Sequence, residues 1–161
     1  MDSTPCNHAA PRPTAPEESG RGPVAIEHVL VVDDEPAQQM LSQLQLKKLG
    51  CQATVASSGE EAMSLFVSAK KENKPSPFDL VLMDMVMPGL DGLSASRAIL
   101  DLYPGQNIVI ASGYAPGAHA ETADRLGLFW LLKPYTITDL AQTVRAAGGK
   151  RSSTSPTPPA N

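Results

Sequence analysis

Cysteine is nearly absent. Cys6 and Cys51 are the only two in 161 residues, too few for the disulfide framework of a small secreted domain. The three histidines, His8, His28 and His119, are scattered and fit no ligand spacing, so a zinc module is excluded too. Long apolar runs are also missing: VLVV and LVLM have the length of strands, far below the roughly 20 residues of a membrane span. The N-terminus carries no basic stretch followed by an apolar one, so no secretory signal is read. The expectation is a cytoplasmic protein without a membrane partner. Positive charge is in deficit, 13 Lys+Arg against 17 Asp+Glu. That argues against nucleic acid as a partner, which needs a basic face. A glycine-rich phosphate loop with its lysine is lacking, so a nucleotide is not the evident phosphate source.

Proline, by contrast, is plentiful and marks borders. Residues 1–27 hold Pro5, Pro11, Pro13, Pro16 and Pro23 among small residues, and 149–161 repeat that composition. Neither stretch has the apolar surface to offset its ordering entropy, so both read as disordered tails. The segment between them, 28–148, reads as one folded domain with 13 acidic and 9 basic residues.

Inside that domain, short apolar runs alternate with helix-like segments. Runs at 28–34, 51–57, 79–84, 107–112 and 128–132 are strand-sized, the second weaker than the others. Helices are predicted over 36–49, after Ser57 and Ser58, over 92–103, weakly over 116–125, and after Thr136. Pro36 suits a first turn and Gly50 a stop. Ser57 with Glu60 and Ser58 with Glu61 form overlapping capping boxes, and Thr136 with Asp139 caps the last helix. In 36–49, Met40, Leu41, Leu44, Leu46 and Leu49 do not fit one stripe, so some are expected to face solvent. Alternation of this kind predicts an α/β fold: a five-stranded parallel sheet with helices on both faces.

A parallel sheet aligns the carboxyl ends of its strands along one edge, where ligands bind. Those ends carry Asp33-Asp34, Asp84, Ser112-Gly113 and Lys133-Pro134. Three carboxylates in one cleft repel unless a cation compensates. An all-oxygen donor set suits a hard ion, Mg²⁺ first. With a lysine and a hydroxyl at the same edge, the set is that of a phosphoryl site. Any one of these acids alone reads as a solvated or capping residue; the joint pattern does not. Met83, Met85 and Met87 could be mistaken for a soft-metal box, but at a strand and turn they read as packing.

The segments VLVVDDEP, LVLMDMVMPGLDG, IASG and LLKPY, in this order and spacing, resemble the receiver domains of two-component response regulators over residues 28–148. DLYPGQNIVIASGY is worded more like receivers appended to hybrid sensor kinases than like those fused to DNA-binding domains. The resemblance implies the CheY-like, flavodoxin-like (βα)5 fold with strand order 2-1-3-4-5. It implies that Asp84 is the nucleophile that takes a phosphoryl group from a phosphohistidine of a histidine kinase or histidine phosphotransfer protein. Asp34 would ligate Mg²⁺ directly, Asp33 largely through water, and the Val86 backbone carbonyl would complete the protein ligands. Lys133 would pair with Asp84 and then with a phosphoryl oxygen, Ser112 would bind another, and Pro134 would follow a cis peptide. Trp130 occupies the family's switch position, usually Tyr or Phe; switching on the one hand and packing or partner anchoring on the other both stay open.

Three functions compete at this point: a Mg²⁺-dependent phosphoacceptor that signals by altered protein binding, an adaptor that never takes phosphate, and a small phosphatase-like enzyme. The intact acid set disfavours the second, and the inert Val86 beside Asp84 disfavours the third. Only thirteen residues follow the domain here, so no DNA-binding output is expected; the effect is expected through a noncovalent protein target, by passing phosphate onward, or through a parent protein if this chain is a fragment. Val86 and Tyr114, each two residues past a site residue, flank the path of hydrolytic water in the family. Here they are apolar and aromatic, which predicts slow autodephosphorylation.

Overall fold

The computed structural model describes residues 25–153, the last four by backbone alone. Five strands, β1 (His28–Val32), β2 (Gln52–Ala56), β3 (Leu80–Asp84), β4 (Asn107–Ser112) and β5 (Phe129–Leu132), alternate with five helices. These are α1 (Pro36–Lys48), α2 (Gly59–Lys71), α3 (Gly92–Leu102), α4 (Ala120–Leu126) and α5 (Ile137–Ser153), with a 3₁₀ turn at Gly117–His119 before α4. All pairings are parallel and the strand order is 2-1-3-4-5, as expected.

Side chains alternate across the sheet and build two cores. On one face Leu30, Val32, Val81, Met83, Ile108 and Ile110 meet Ala62 and Phe66 of α2 and Ala95 and Ile99 of α3. On the other, Val29, Val31, Leu80, Leu82 and Val109 meet Leu46 of α1 and Leu140 and Ala147 of α5. Both faces are covered, which is why the central strands read as unbroken apolar runs rather than alternating ones.

Local signals act much as the sequence suggests. Pro36 opens α1, and Thr136 and Asp139 exchange side-chain-to-backbone hydrogen bonds of 3.1 and 2.8 Å before α5. Only one of the two overlapping caps of α2 forms: Ser58 Oγ accepts from the Glu61 amide at 3.0 Å, and Glu61 Oε2 accepts from the Ser57 amide at 2.7 Å. Glu60, the expected partner of Ser57, points elsewhere.

The tails read from composition lie mostly outside the described residues, Cys6 and His8 among them. At the edges the structure extends past the compositional borders. Glu27 and His28 both donate their amides to Asp79 Oδ2, at 3.0 and 2.9 Å, and Ile26 packs on the second core. α5 continues to Ser153, so 149–153 are helical rather than tail: no proline intervenes before Pro156 to stop the helix. Among the described residues no helix is long and apolar enough to cross a membrane.

Candidate functional site

The carboxyl edge of the sheet gathers the acids from two strands. β1 runs straight into Asp33 and Asp34, and β3 ends on Asp84; the two strands are neighbours, with Val32 opposite Met83. Oxygen atoms of Asp33, Asp34 and Asp84 all lie within 4.8 Å of one another. Asp33 is buried, Asp84 half-buried and Asp34 exposed, so the cluster grades from core to solvent.

Among the described residues one cation answers them. Lys133, the first residue after β5, brings Nζ to 3.0 Å from Asp84 Oδ1 and 3.4 Å from Asp33 Oδ2. Its backbone is fixed by its N–H, which donates a hydrogen bond of 2.7 Å to the Ser112 carbonyl, and the Lys133–Pro134 peptide is cis. Burial works against the ammonium, but the hydrogen bond and charge of Asp84 and the charge of Asp33 outweigh it and hold the lysine above its ordinary pKa. Asp84 is also pushed up: burial and the Asp33 charge outweigh the bond and charge of Lys133 and a hydrogen bond from the Val86 amide. Burial leads the rise at Asp84, while the neighbouring carboxylates lead it at Lys133; three acidic side chains share this corner with a single lysine.

The donor set therefore fits a divalent ion of the hard, oxygen-loving class. It consists of carboxylate oxygens from adjacent strand ends, graded from the buried Asp33 to the exposed Asp34, with Lys133 bonded to Asp33 and Asp84.

Ser112 stands beside this cluster at the end of β4, one residue past Ala111, the partner of Asp84 in the sheet. It is buried, and its Oγ accepts from the Tyr114 amide at 3.1 Å, so its own hydrogen remains for another acceptor. Val86 and Tyr114, each two residues past a site residue, are 71 and 78 % exposed. Trp130 is not part of the cluster. It lies on β5 opposite Ile110, half-buried on the first core, and donates its indole N–H to the Tyr114 carbonyl at 2.9 Å.

Some supports were not anticipated. Gln39 Nε2 donates to the Asp33 carbonyl, and Asp33 Oδ1 accepts from the Glu35 amide at 2.9 Å, which fixes the acidic turn. Tyr135 Oη lies 3.0 Å from Ser42 Oγ and 3.3 Å from Gln38 Nε2, tying α1 to the segment after Lys133. A polar pair facing inward from α1 would have been the only hint.

The comparisons agree with this geometry. Residues 29–145 match the family model described as the response regulator receiver domain. The autoinducer 1 sensor kinase/phosphatase LuxN of Vibrio campbellii is 36 % identical over 112 residues, 70 % of this chain but 12 % of that protein. A response regulator receiver domain protein from Clostridium thermocellum superposes with a TM-score of 0.69 at 30 % identity, covering 79 % of this chain and 98 % of that one. The response regulator TrrA of Thermotoga maritima, solved with Mg²⁺-BeF, gives 0.65 at 26 % identity, over 76 % of this chain and 99 % of the other. Fold, acidic edge and sequence match coincide on one conclusion: this chain belongs to the response regulator receiver domains of two-component systems.

Proposed function

We propose that Asp84 accepts a phosphoryl group from the phosphohistidine of a histidine kinase or phosphotransfer protein, and that the modified domain signals by changing which protein it binds. The observation that carries this reading is the charge imbalance: Asp33, Asp34 and Asp84 converge within 4.8 Å while, among the described residues, Lys133 is the one cation bonded to them. The reading assigns Mg²⁺ to the three carboxylates and the Val86 carbonyl. Such an ion, when bound, neutralises charge on the phosphoryl oxygens.

The chain's own groups then have defined work. An oxygen of Asp84 forms a bond to phosphorus as the phosphorus–nitrogen bond breaks, and the electron pair leaves with the imidazole. Lys133, held 3.0 Å from Asp84, exchanges a carboxylate partner for a phosphoryl oxygen. Ser112 turns its available hydrogen to another, drawing the loop of Tyr114 inward. Burial of Asp33 and Ser112 keeps bulk water from the deep side of the site.

The donor needs a surface, and α1 offers one. Met40, Leu41 and Leu44 are 64, 47 and 54 % exposed, and Leu41 lines a hollow with Gln38, Lys133, Pro134 and Tyr135. An apolar strip reaching the mouth of the site suits a helical partner that presents its histidine there.

The test is incubation with acetyl phosphate and Mg²⁺, followed by mass spectrometry. Gain of one acid-stable, base-labile phosphoryl group, lost in Asp84→Asn, is the expected result. No adduct would leave an adaptor, and steady release of phosphate a phosphatase.

A further inference from the structure

The capping pattern placed Glu60 with Ser57, yet Glu61 satisfies the Ser57 amide and leaves Glu60 unused by its own helix end. Its carboxylate instead reaches across thirty positions of sequence: Glu60 Oε1 accepts from the Leu90 amide at 3.0 Å. Leu90 belongs to the loop 85–91, which begins one residue after Asp84.

That loop is anchored at both ends. The Met85 amide bonds to the Ala111 carbonyl at 2.9 Å, and Gly92 returns a bond of 3.0 Å to the Met85 carbonyl. Asp91 caps α3 through the Ser94 amide at 2.8 Å. The first turn of α2 holds the loop between these anchors by the main-chain N–H of Leu90 and packs closely against its carbonyl. Glu60 takes the N–H, and a Cβ on Gly59 would lie 2.9 Å from the Leu90 carbonyl oxygen, so the helix end sits directly on it. Gly89 is shaped to this contact too. Its φ is +78°, and a Cβ there would come 2.7 Å from Glu60 Oε1.

We propose that Glu60 is a positioning residue for the phosphoacceptor loop: its hydrogen bond to Leu90 fixes the loop so that the main chain at Val86 faces the acidic cluster. The proposal rests on the reading of the site given above. It assigns Glu60 no contact with metal or phosphate.

Two substitutions separate reach from charge. Glu60→Asp keeps the charge, suits a first helical turn and is one methylene too short for Leu90. Glu60→Gln loses the charge and keeps an acceptor at the same reach. Mg²⁺ affinity is read by calorimetric titration of the full chain, and exchange of the Leu90 amide by NMR without metal. Glu60→Asp is expected to weaken Mg²⁺ binding and speed exchange at Leu90 by about tenfold, the equivalent of one hydrogen bond to a charged acceptor. Glu60→Gln is expected to lose only about threefold in both, because a neutral acceptor keeps about half of that bond. Wild-type affinity and exchange in Glu60→Asp would overturn the proposal, as would equal losses in both variants. If the wild type bound no Mg²⁺, the assignment of the ion would fail, while the Leu90 amide would still decide whether Glu60 holds the loop.

Discussion

The indole N–H of Trp130 donates to the carbonyl oxygen of Tyr114 at 2.9 Å, bridging β5 to the loop that follows Ser112. A ring tied in this way cannot ignore that loop. If Ser112 draws it toward a phosphoryl group, the bond must either break or carry the indole along. Trp130 is the one tryptophan of the chain, so its emission reports this site alone. Adding beryllofluoride with Mg²⁺ is expected to shift or quench it, and Asp84→Asn to abolish the change. Constant emission under saturating analogue would leave Trp130 a packing residue.

Gly92 is required where it stands. A Cβ there would lie 2.2 Å from the Asp84 carbonyl oxygen and 2.9 Å from the Met85 Cα, both backbone atoms that cannot turn away. Gly92→Ala is therefore expected to cost about 2 kcal/mol of stability, as overpacking does. It should also slow phosphoryl acceptance by displacing the end of β3. Gly105→Ala, with nothing within 4 Å of its Cβ, is the control and should change neither. Urea midpoints and rates with acetyl phosphate measure the two effects.

The exposed face of α1 predicts a split between donors. Leu44→Glu puts a charge on a residue already 54 % exposed, so the fold should hold within about 0.5 kcal/mol. Transfer from a phosphohistidine protein should fall at least tenfold while labelling by acetyl phosphate stays unchanged. Equal loss with both donors would mean that the substitution disturbs the site rather than the docking.

How much of this was legible beforehand follows from what each feature depends on. Asp33, Asp34, Asp84 and Lys133 could be brought together from sequence because parallel strands align their ends, whatever the packing of the helices. The two cores were legible for the same reason, as runs such as LVLM leave no polar face. Glu60 was not. The capping rule sees only local spacing, and Ser57-Ser58-Gly59-Glu60-Glu61 allows two boxes; which glutamate is released depends on Leu90 arriving from another loop. The link of Tyr135 to Ser42 across 93 positions was illegible too, since it requires knowing how α1 lies against the end of β5.

Acid should weaken the cap of α3 in a defined direction. The Ser94 backbone amide, helped by the Ser94 hydroxyl, holds the Asp91 carboxyl below its ordinary value. A carboxyl depressed in the folded state stabilises fully above its unfolded pKa, about 3.9, and that contribution fades as pH falls toward the folded value. Asp91→Asn keeps an acceptor for the Ser94 amide but cannot titrate. Between pH 7 and pH 3 the wild type should lose more of its urea midpoint than Asp91→Asn, and a parallel decline would refute this.

The rim of the site sets how long a phosphoryl group would last. Attack by water on an aspartyl phosphate needs a water held in line with the bond that breaks, and a polar side chain beside the path is what holds one. Val86 and Tyr114, two residues past Asp84 and Ser112, are 71 and 78 % exposed. The first has no polar atom, and the second carries its only one at the far end of a ring. The adduct should therefore persist for minutes or longer without a partner, long enough for relay. Val86→Asn supplies a carboxamide at the first of these positions and is expected to shorten the lifetime about tenfold, the worth of one hydrogen bond in a charged transition state. The same substitution should leave the rate of phosphoryl gain within a few fold, because its side chain meets the water and not the donor. Decay of the labelled protein after removal of acetyl phosphate measures it, and a wild-type half-life of seconds would show that other groups already hold the water.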